Sequence, residues 1–200
     1  MGEPLYNYNA VRHALTVLSA DDGLAISRRK LIVSTSGVAP NIRKLADEFP
    51  TVSLAVSLHA TNDEMRSQLM DINDKWPLKE LFDALVYHQS RPQASRLTFE
   101  YILLAGINDS IGDAKDLVKI LSPFRGQSGC CVNLIPFNGW ASGLKNPFKT
   151  PSIQSTQVFQ DYLANHGLPA PIRRSRGRKI QAACGQLAKN YENNVVLPSI

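Results

Sequence analysis

The stretch TVSLAVSLHA (51–60) constrains the fold more than any other part of this 200-residue sequence. Apolar residues alternate strictly with polar or small ones, which is the side-chain period of a β-strand. The apolar set is Val52, Leu54, Val56 and Leu58, and the other set is Ser53, Ala55, Ser57 and His59. The sequence therefore predicts a strand with one face in a hydrophobic core and one polar face.

Helical and strand-like segments alternate along the rest of the chain. The segments KLIVSTSG (30–37), RLTFEYILL (96–104), CCVNLIPF (130–137) and a short APIRR (170–174) are predicted strands. Helical periodicity begins after Asn9, a predicted N-cap, and recurs in the stripe Leu78, Leu81 and Leu85 and at about 112–121. Helices between strands indicate right-handed parallel crossovers, so we predict an α/β fold with a parallel sheet.

Polar residues inside these strands predict a cavity. A parallel strand that is covered on both faces should be apolar throughout. The side chains expected to share one lumen are Ser34, Ser36, Ser57, His59, Glu100 and Asn133. A barrel or half-barrel with ligand groups at the carboxyl ends of its strands explains this pattern best. The alternative is an open flavodoxin-like sheet with scattered, satisfied polar groups.

Positive charge is concentrated near the carboxyl terminus. The chain carries a formal charge of +5, and residues 151–200 hold six Lys and Arg against two Asp and Glu. Such a segment suits a nucleic-acid backbone, because affinity there comes largely from released counterions. A solvated surface run is the alternative explanation.

The three cysteines do not form a disulfide framework or a zinc motif. Cys130 and Cys131 are adjacent in a strand and should point to opposite faces, so both are predicted to be packing residues. Cys184 follows the basic segment, whose field would lower the thiol pKa. From the residues alone, Cys184 is either a nucleophile or a buried filler residue. His59 lacks partners at metal spacing, and we predict no metal site in this chain.

Membrane and export signals are not evident. No stretch approaches about 18 uninterrupted apolar residues, and the amino terminus lacks a secretory pattern. We therefore expect a cytoplasmic protein with no membrane contact.

Six ordered stretches together resemble one enzyme family. They are MGEPLYN, LIVSTSGVAP, LAVSLHATNDE, FEYILLAGIND, NLIPFN and AACGQLA. This series, from Gly2 to about Leu187, is similar to the radical S-adenosylmethionine (SAM) methyltransferases of the RlmN and Cfr type. The resemblance implies a partial (β/α)6-type barrel with a carboxyl-terminal extension. It also implies methylation of adenine carbon 2 in large-subunit ribosomal RNA and, in some members, in transfer RNA.

The resemblance also assigns residues to roles. Gly2 and Glu3 match positions that hold the methionine amino group of SAM. The other matched cofactor contacts are Ser34, Ser57, Leu58, His59 and Asn133. Cys184 matches the cysteine that carries the methyl group. The basic residues expected to hold RNA are Arg173, Arg174, Arg176, Arg178 and Lys179.

The chain departs from the family pattern in one major way. Family members bind a 4Fe-4S cluster through C-x-x-x-C-x-x-C, and this sequence has no such motif. In the family the motif lies upstream of GEP, together with an accessory domain. We therefore expect residues 1–200 to be the carboxyl-terminal part of a radical SAM core domain. By itself this part should lack radical activity.

Further expectations follow from the resemblance. The complete enzyme would be a monomer that receives electrons from an external donor. Two alternatives remain open from the sequence. One is a cluster-free remnant that only binds RNA, and the other is a Cfr-like methyltransferase that acts on carbon 8 of the same adenine.

Overall fold

The computed structural model of the chain describes residues 2–125, 129–138 and 148–173. These residues form a parallel sheet with helices between successive strands. The strands are β1 (Ile32–Thr35), β2 (Ser53–Ser57), β3 (Leu97–Leu103) and β4 (Cys130–Pro136). The helices are α1 (Tyr8–Ser19), α2 (Ala39–Glu48), α3 (Asp63–Leu69), α4 (Ile72–Lys75), α5 (Leu78–Gln89), α6 (Ile111–Ile120) and α7 (Ile153–Asn165).

The strand order shows how the sheet is wound. The four strands are parallel and lie side by side in chain order, β1-β2-β3-β4. A flavodoxin-like sheet would instead reverse its order around the first strand. Right-handed crossovers that always advance in one direction place the connecting helices on one face, as in a barrel wall. The α/β prediction with parallel, barrel-type winding is confirmed, and the flavodoxin-like alternative is not.

The two faces of the sheet differ in burial as the alternation predicted. On the helix-covered face, Leu54, Val56, Phe99 and Val132 are completely buried. Residues of the opposite face, including Ser57, are only partly buried throughout β2, β3 and the amino-terminal part of β4. The polar face is therefore the open side of the sheet.

Aromatic side chains tie the helices to the covered face. Phe124 lies between Phe99 and Phe82, with ring centroids 5.5 and 5.7 Å away. Phe159 of α7 stacks on Tyr101 of β3 at 5.8 Å. Burial of each such ring contributes about 1.5–3 kcal/mol before entropic costs.

Two sequence predictions need correction at element ends. α1 begins at Tyr8 rather than after Asn9, because a 3-10 turn over Pro4–Asn7 leads directly into it. Of the predicted strand 170–174, the described residues 170–173 form one isolated parallel bridge, Leu134 with Ile172, and no longer ladder. Its proline-containing backbone cannot supply a continuous ladder of donors.

The short bridge still fixes the path of the chain. The amide of Val132 donates to the carbonyl of Pro169, and the amide of Arg173 donates to the carbonyl of Leu134 at 2.7 Å. Residues 169–173 therefore run beside β4. The predicted carboxyl-terminal extension after Arg173 lies outside the described residues. In the described part of the chain, no helix is long and apolar enough to cross a bilayer.

Candidate functional site

Three polar residues form a lateral row across the open face. In the strand register, Ser57 of β2 pairs with Glu100 of β3, and Glu100 pairs with Asn133 of β4. Neighbouring strands lie about 4.8 Å apart, so the three side chains stand at that spacing. The Asn133 Nδ2 group donates to both Glu100 carboxylate oxygens, at 3.1 and 3.2 Å. Ser57 is the last residue of β2, whereas Glu100 and Asn133 are the middle residues of the seven-residue strands β3 and β4.

Glu3 is anchored at the carboxyl end of β1. Its Oε1 accepts hydrogen bonds from the Leu5 amide at 2.9 Å and the Thr35 hydroxyl at 2.8 Å. Its Oε2 accepts from the Ser36 amide at 2.6 Å and the Ser36 hydroxyl at 2.7 Å. A carboxylate offers about four lone-pair sites, so all of them are engaged. The carboxylate therefore docks the first residues of the chain onto the sheet.

We call the group Glu3, Ser36, Ser57, His59, Glu100 and Asn133 the strand-end site. It contains two carboxylates, those of Glu3 and Glu100. The donors to Glu3 and Glu100 are neutral amides and hydroxyls, and neither carboxylate forms an ion pair with any described residue. A partly buried carboxylate without a cation attracts one strongly. The site is therefore suited to a ligand with a positive group.

His59 adopts a backbone conformation that is rare for a side-chain-bearing residue. Its φ is 60°, and the Ala60 amide donates across it to the Leu58 carbonyl at 2.8 Å. This i to i+2 bond around a positive φ is the pattern of a strained γ-turn. Such turns persist only where neighbouring contacts hold them, and they concentrate at functional sites.

The ring of His59 has a defined protonation state. Its Nδ1 accepts a hydrogen bond from the Ile102 amide at 3.2 Å. Burial and, to a lesser extent, the positive charge of Arg66 lower the pKa of His59 to about 4. The imidazole is therefore neutral at physiological pH, with the proton on Nε2. His59 can donate one hydrogen bond from Nε2 to a ligand.

Asn108 holds the turn from the side of β3. Its Nδ2 donates to the His59 carbonyl at 2.9 Å and to the Ile102 carbonyl at 2.8 Å. Its Oδ1 accepts from the Leu104 amide at 2.7 Å. Asn108 is buried, and the sequence analysis missed it. The only local signal was an Asn-Asp pair after a strand, which also fits an ordinary turn.

The cysteines of β4 lie as predicted. Cys130 is buried on the helix side, while Cys131 is partly buried on the open face with its Sγ 3.4 Å from the Thr98 hydroxyl. Desolvation raises the pKa of Cys130 to about 11, so its thiol is unreactive. Among residues 2–125, 129–138 and 148–173, no three His, Cys, Asp or Glu side chains come together as a metal site.

Comparison with known proteins identifies the relatives of this chain. It is 45% identical over 192 residues to the dual-specificity RNA methyltransferase RlmN of Rhodopseudomonas palustris (strain TIE-1). It is 45% identical to RlmN of Bradyrhizobium diazoefficiens and 46% identical to RlmN of Mesorhizobium japonicum. These alignments cover 96% of the chain. Over nearly its whole length, the chain is therefore similar to RlmN dual-specificity RNA methyltransferases. It spans about half the length of these relatives, 46%, 46% and 45% respectively.

Two solved structures are similar to this chain. A radical SAM methyltransferase from Sphaerobacter thermophilus superposes with a TM-score of 0.81 and 42% identity. That match covers 93% of this chain and 52% of the other. A domain of a pyruvate-formate lyase-activating enzyme from Bacteroides vulgatus has a TM-score of 0.63 at 17% identity, over 87% of this chain and 96% of that domain. This second likeness concerns the fold alone. No protein-family model matches the chain.

The residues that match RlmN cofactor positions are distributed unevenly. Ser57, His59 and Asn133 belong to the strand-end site, and Ser34 lies on the same face one row earlier, opposite Ala55. Gly2 is exposed beside Glu3. The side chain of Leu58 is fully buried in the core, so only its backbone borders the site.

Arg173 is the described member of the predicted RNA-binding set. Arg173 is exposed beside the end of β4. Cys184, Arg174, Arg176, Arg178 and Lys179 lie outside the described residues. Their roles remain predictions from the sequence.

Proposed function

We propose that the strand-end site binds SAM, and that the chain is part of a radical SAM enzyme that methylates RNA. The observation that carries this proposal is a pair of carboxylates, Glu3 at the carboxyl end of β1 and Glu100 on the open face, which form no ion pair with a described residue. SAM carries two positive centres, its ammonium and its sulfonium. The 45% identity to RlmN, a radical SAM methyltransferase by the resemblance described above, supports the same ligand.

The polar groups of the site fit the parts of SAM in kind. Glu3 contributes negative charge near the ammonium, and its two hydroxyl donors, Thr35 and Ser36, can rotate to free an acceptor position. Asn133 offers an amide and Ser57 a hydroxyl at the neighbouring row. These groups bind and orient the ligand. Gly2, Ser34, Leu58 and His59 complete the proposed contacts.

An iron–sulfur cluster does not fit the residues of this chain. Its three cysteines lack the spacing of a cluster loop, and Cys130 and Cys131 face opposite sides of β4. We therefore derive no step through a cluster. When bound, SAM would supply the transferable methyl group.

The finer assignment is methylation of adenine carbon 2 in large-subunit ribosomal RNA, and also in transfer RNA, with Cys184 as the methyl carrier. Arg173 begins the basic segment beside β4, and Cys184 follows eleven residues later. An extended chain covers roughly 3.4 Å per residue, so the segment is long enough to reach any part of the open face. Arg173, Arg174, Arg176, Arg178 and Lys179 would contact RNA phosphates.

Ligand binding tests the site directly. In an NMR titration of the ¹⁵N-labelled chain, SAM should shift the amides of Glu3, Leu5 and residues 57–60 and the Asn133 side chain. Methylthioadenosine, which lacks the ammonium and the sulfonium, is the matched control ligand and should bind more than about ten-fold more weakly, because it loses charge-assisted contacts. Equal binding of both ligands would contradict the charge argument. RNA binding without SAM binding would favour the cluster-free remnant.

Mass spectrometry tests the carrier. Peptides that contain Cys184, taken from cells that express the active enzyme, should include a form heavier by one CH₂. A Cys184→Ala variant should leave the adenine unmodified, and digests of ribosomal RNA should place the wild-type methyl group on carbon 2. A methyl group on carbon 8 would support the Cfr-like alternative instead.

A further inference from the structure

Arg66 is a fully buried cation behind the strand-end site. It lies in α3 with 0% of its surface exposed, and it forms no ion pair with a carboxylate of any described residue. Burial of a guanidinium is costly unless hydrogen bonds compensate it. The hydrogen bonds of Arg66 must therefore offset the cost of burying its charge.

The guanidinium instead donates hydrogen bonds to oxygen atoms at the ends of two strands. Its Nη2 donates to the carbonyls of Ser36 at 2.7 Å and Ser57 at 3.1 Å, and its Nε donates to the carbonyl of Leu58 at 3.2 Å. Its Nη1 donates to Asn73 Oδ1 at 2.8 Å. Three of the four acceptors are thus backbone carbonyls at the carboxyl ends of β1 and β2. A planar fork of donors suits such a divergent set.

Those carbonyls belong to the residues that shape the site. Ser36 is the residue whose amide and hydroxyl bind Glu3. Leu58 begins the strained turn at His59, and its carbonyl accepts from both Arg66 and Ala60. Arg66 therefore joins the Glu3 anchor to the His59 turn through a single rigid group.

The backbone around Arg66 leaves room for this arrangement. Gly37 has φ of +120°, and a Cβ placed there would lie 3.3 Å from Arg66 Nη2. A side chain at this position would crowd the guanidinium and strain the turn after β1. The position of the Arg66 guanidinium therefore depends on a glycine at residue 37.

We propose that Arg66 is a positioning residue of the SAM site, which fixes the ends of β1 and β2 so that Glu3 and His59 face the ligand together. This role rests on the proposed function. A purely structural Arg66 would support the core without altering ligand affinity or the state of the His59 ring.

An Arg66→Lys variant separates these roles. Lysine keeps the charge but cannot span three carbonyls. We expect SAM to bind about ten- to a hundred-fold more weakly in the NMR titration, as for the loss of hydrogen bonds to a charged group. The ¹⁵N signals of the His59 ring should also move from a fixed Nε2–H tautomer toward an average of the two tautomers. Lys79→Met, which removes an exposed cation from α5, is the control and should change neither.

Each outcome has a distinct meaning. If the wild-type chain binds SAM and a folded Arg66→Lys chain binds equally well with an unchanged His59 signal, the positioning role is wrong while the proposed function stands. If the wild-type chain does not bind SAM, both proposals fail. If Arg66→Lys does not fold, Asn73→Ala decides, since it removes the acceptor of Nη1 and leaves the three backbone carbonyls in place. It also removes the Asn73 bonds to the Asp63 carbonyl and the Ser67 hydroxyl, and it should weaken SAM binding by about three- to ten-fold. Unchanged affinity in that variant would also overturn the proposal.

Discussion

Asn108 donates a hydrogen bond to the carbonyl oxygen of His59 across 49 residues of sequence, at 2.9 Å. This bond joins the end of β2 to the loop that follows β3. With Arg66 on the other side, it holds the positive φ of His59 from two directions.

Loss of the Asn108 amide should loosen this turn. An Asn108→Ala variant leaves the His59 and Ile102 carbonyls and the Leu104 amide without their buried partner. We expect the free energy of unfolding to fall by about 1–3 kcal/mol, because unsatisfied buried groups are costly. Urea denaturation measures the change. Asn9→Ala, on the exposed side of α1, should stay within about 0.5 kcal/mol, and an equally small effect at Asn108 would contradict its clamping role.

The buried His88 should make the protein sensitive to mild acid. Burial lowers the pKa of His88 to about 4, and its Nε2 has no hydrogen-bond partner among the described residues. Below pH 6.5 the unfolded chain takes up a proton that the folded chain refuses until about pH 4. Stability is therefore full above pH 6.5 and falls as the pH drops, by about 3 kcal/mol in total for this group.

A variant comparison isolates the contribution of His88. Unfolding free energies of wild type and His88→Gln, measured from pH 7 to pH 4, should converge as the pH falls. The exposed His13→Gln variant should run parallel to wild type. Parallel curves for His88→Gln would show that the imidazole titrates normally in the folded chain.

Substitution of Glu3 should disconnect the amino-terminal segment. In Glu3→Gln, an amide group replaces one carboxylate oxygen and cannot accept from the donors that now surround it. We expect a loss of about 1.5–3 kcal/mol for each charge-assisted bond that is not remade. Faster amide exchange at Leu5 and Ser36 would report the loss. Glu64→Gln, exposed in α3, is the matched control and should leave both amides protected.

RNA affinity should depend on the basic segment in a salt-sensitive way. A double Arg174→Ala and Arg176→Ala variant should bind RNA more weakly. The slope of its log affinity against log salt should become less steep by about 1.4–1.8, because each lost phosphate contact removes about 0.7–0.9. The control pair is Arg28→Ala with Arg29→Ala, which lies before β1 at the opposite end of the sheet. If the control pair changes the slope as much, the RNA contact has been assigned to the wrong surface.

The strands and their polar face were predictable because their signals are local. Alternation in 51–60 places Ser57 on the open face from residues two apart, and the observed register with Glu100 then follows from parallel pairing. The start of α1 was misplaced because the chain enters it through a 3-10 turn that Pro4 begins. That turn has no periodicity of its own.

The supports of the site were not predictable for a physical reason. Arg66 stands in NDEMRSQL, a polar helix in which a charged residue normally faces water. Its acceptors on Ser36 and Ser57 come from two other strand ends. Asn108 likewise finds its partner far away along the chain. Residues that hydrogen-bond to distant backbone carbonyls have no characteristic spacing in the sequence.

The side chains of the row Ser57, Glu100 and Asn133 are spaced one interstrand distance apart. Because the hydrogen bonds between strands fix this distance at about 4.8 Å, the three residues cannot move apart unless the sheet separates. A molecule that lies across the strands meets all three groups in order, whereas one aligned with a strand meets only one. The sheet thus favours a ligand that lies across the strands, without any movement of side chains.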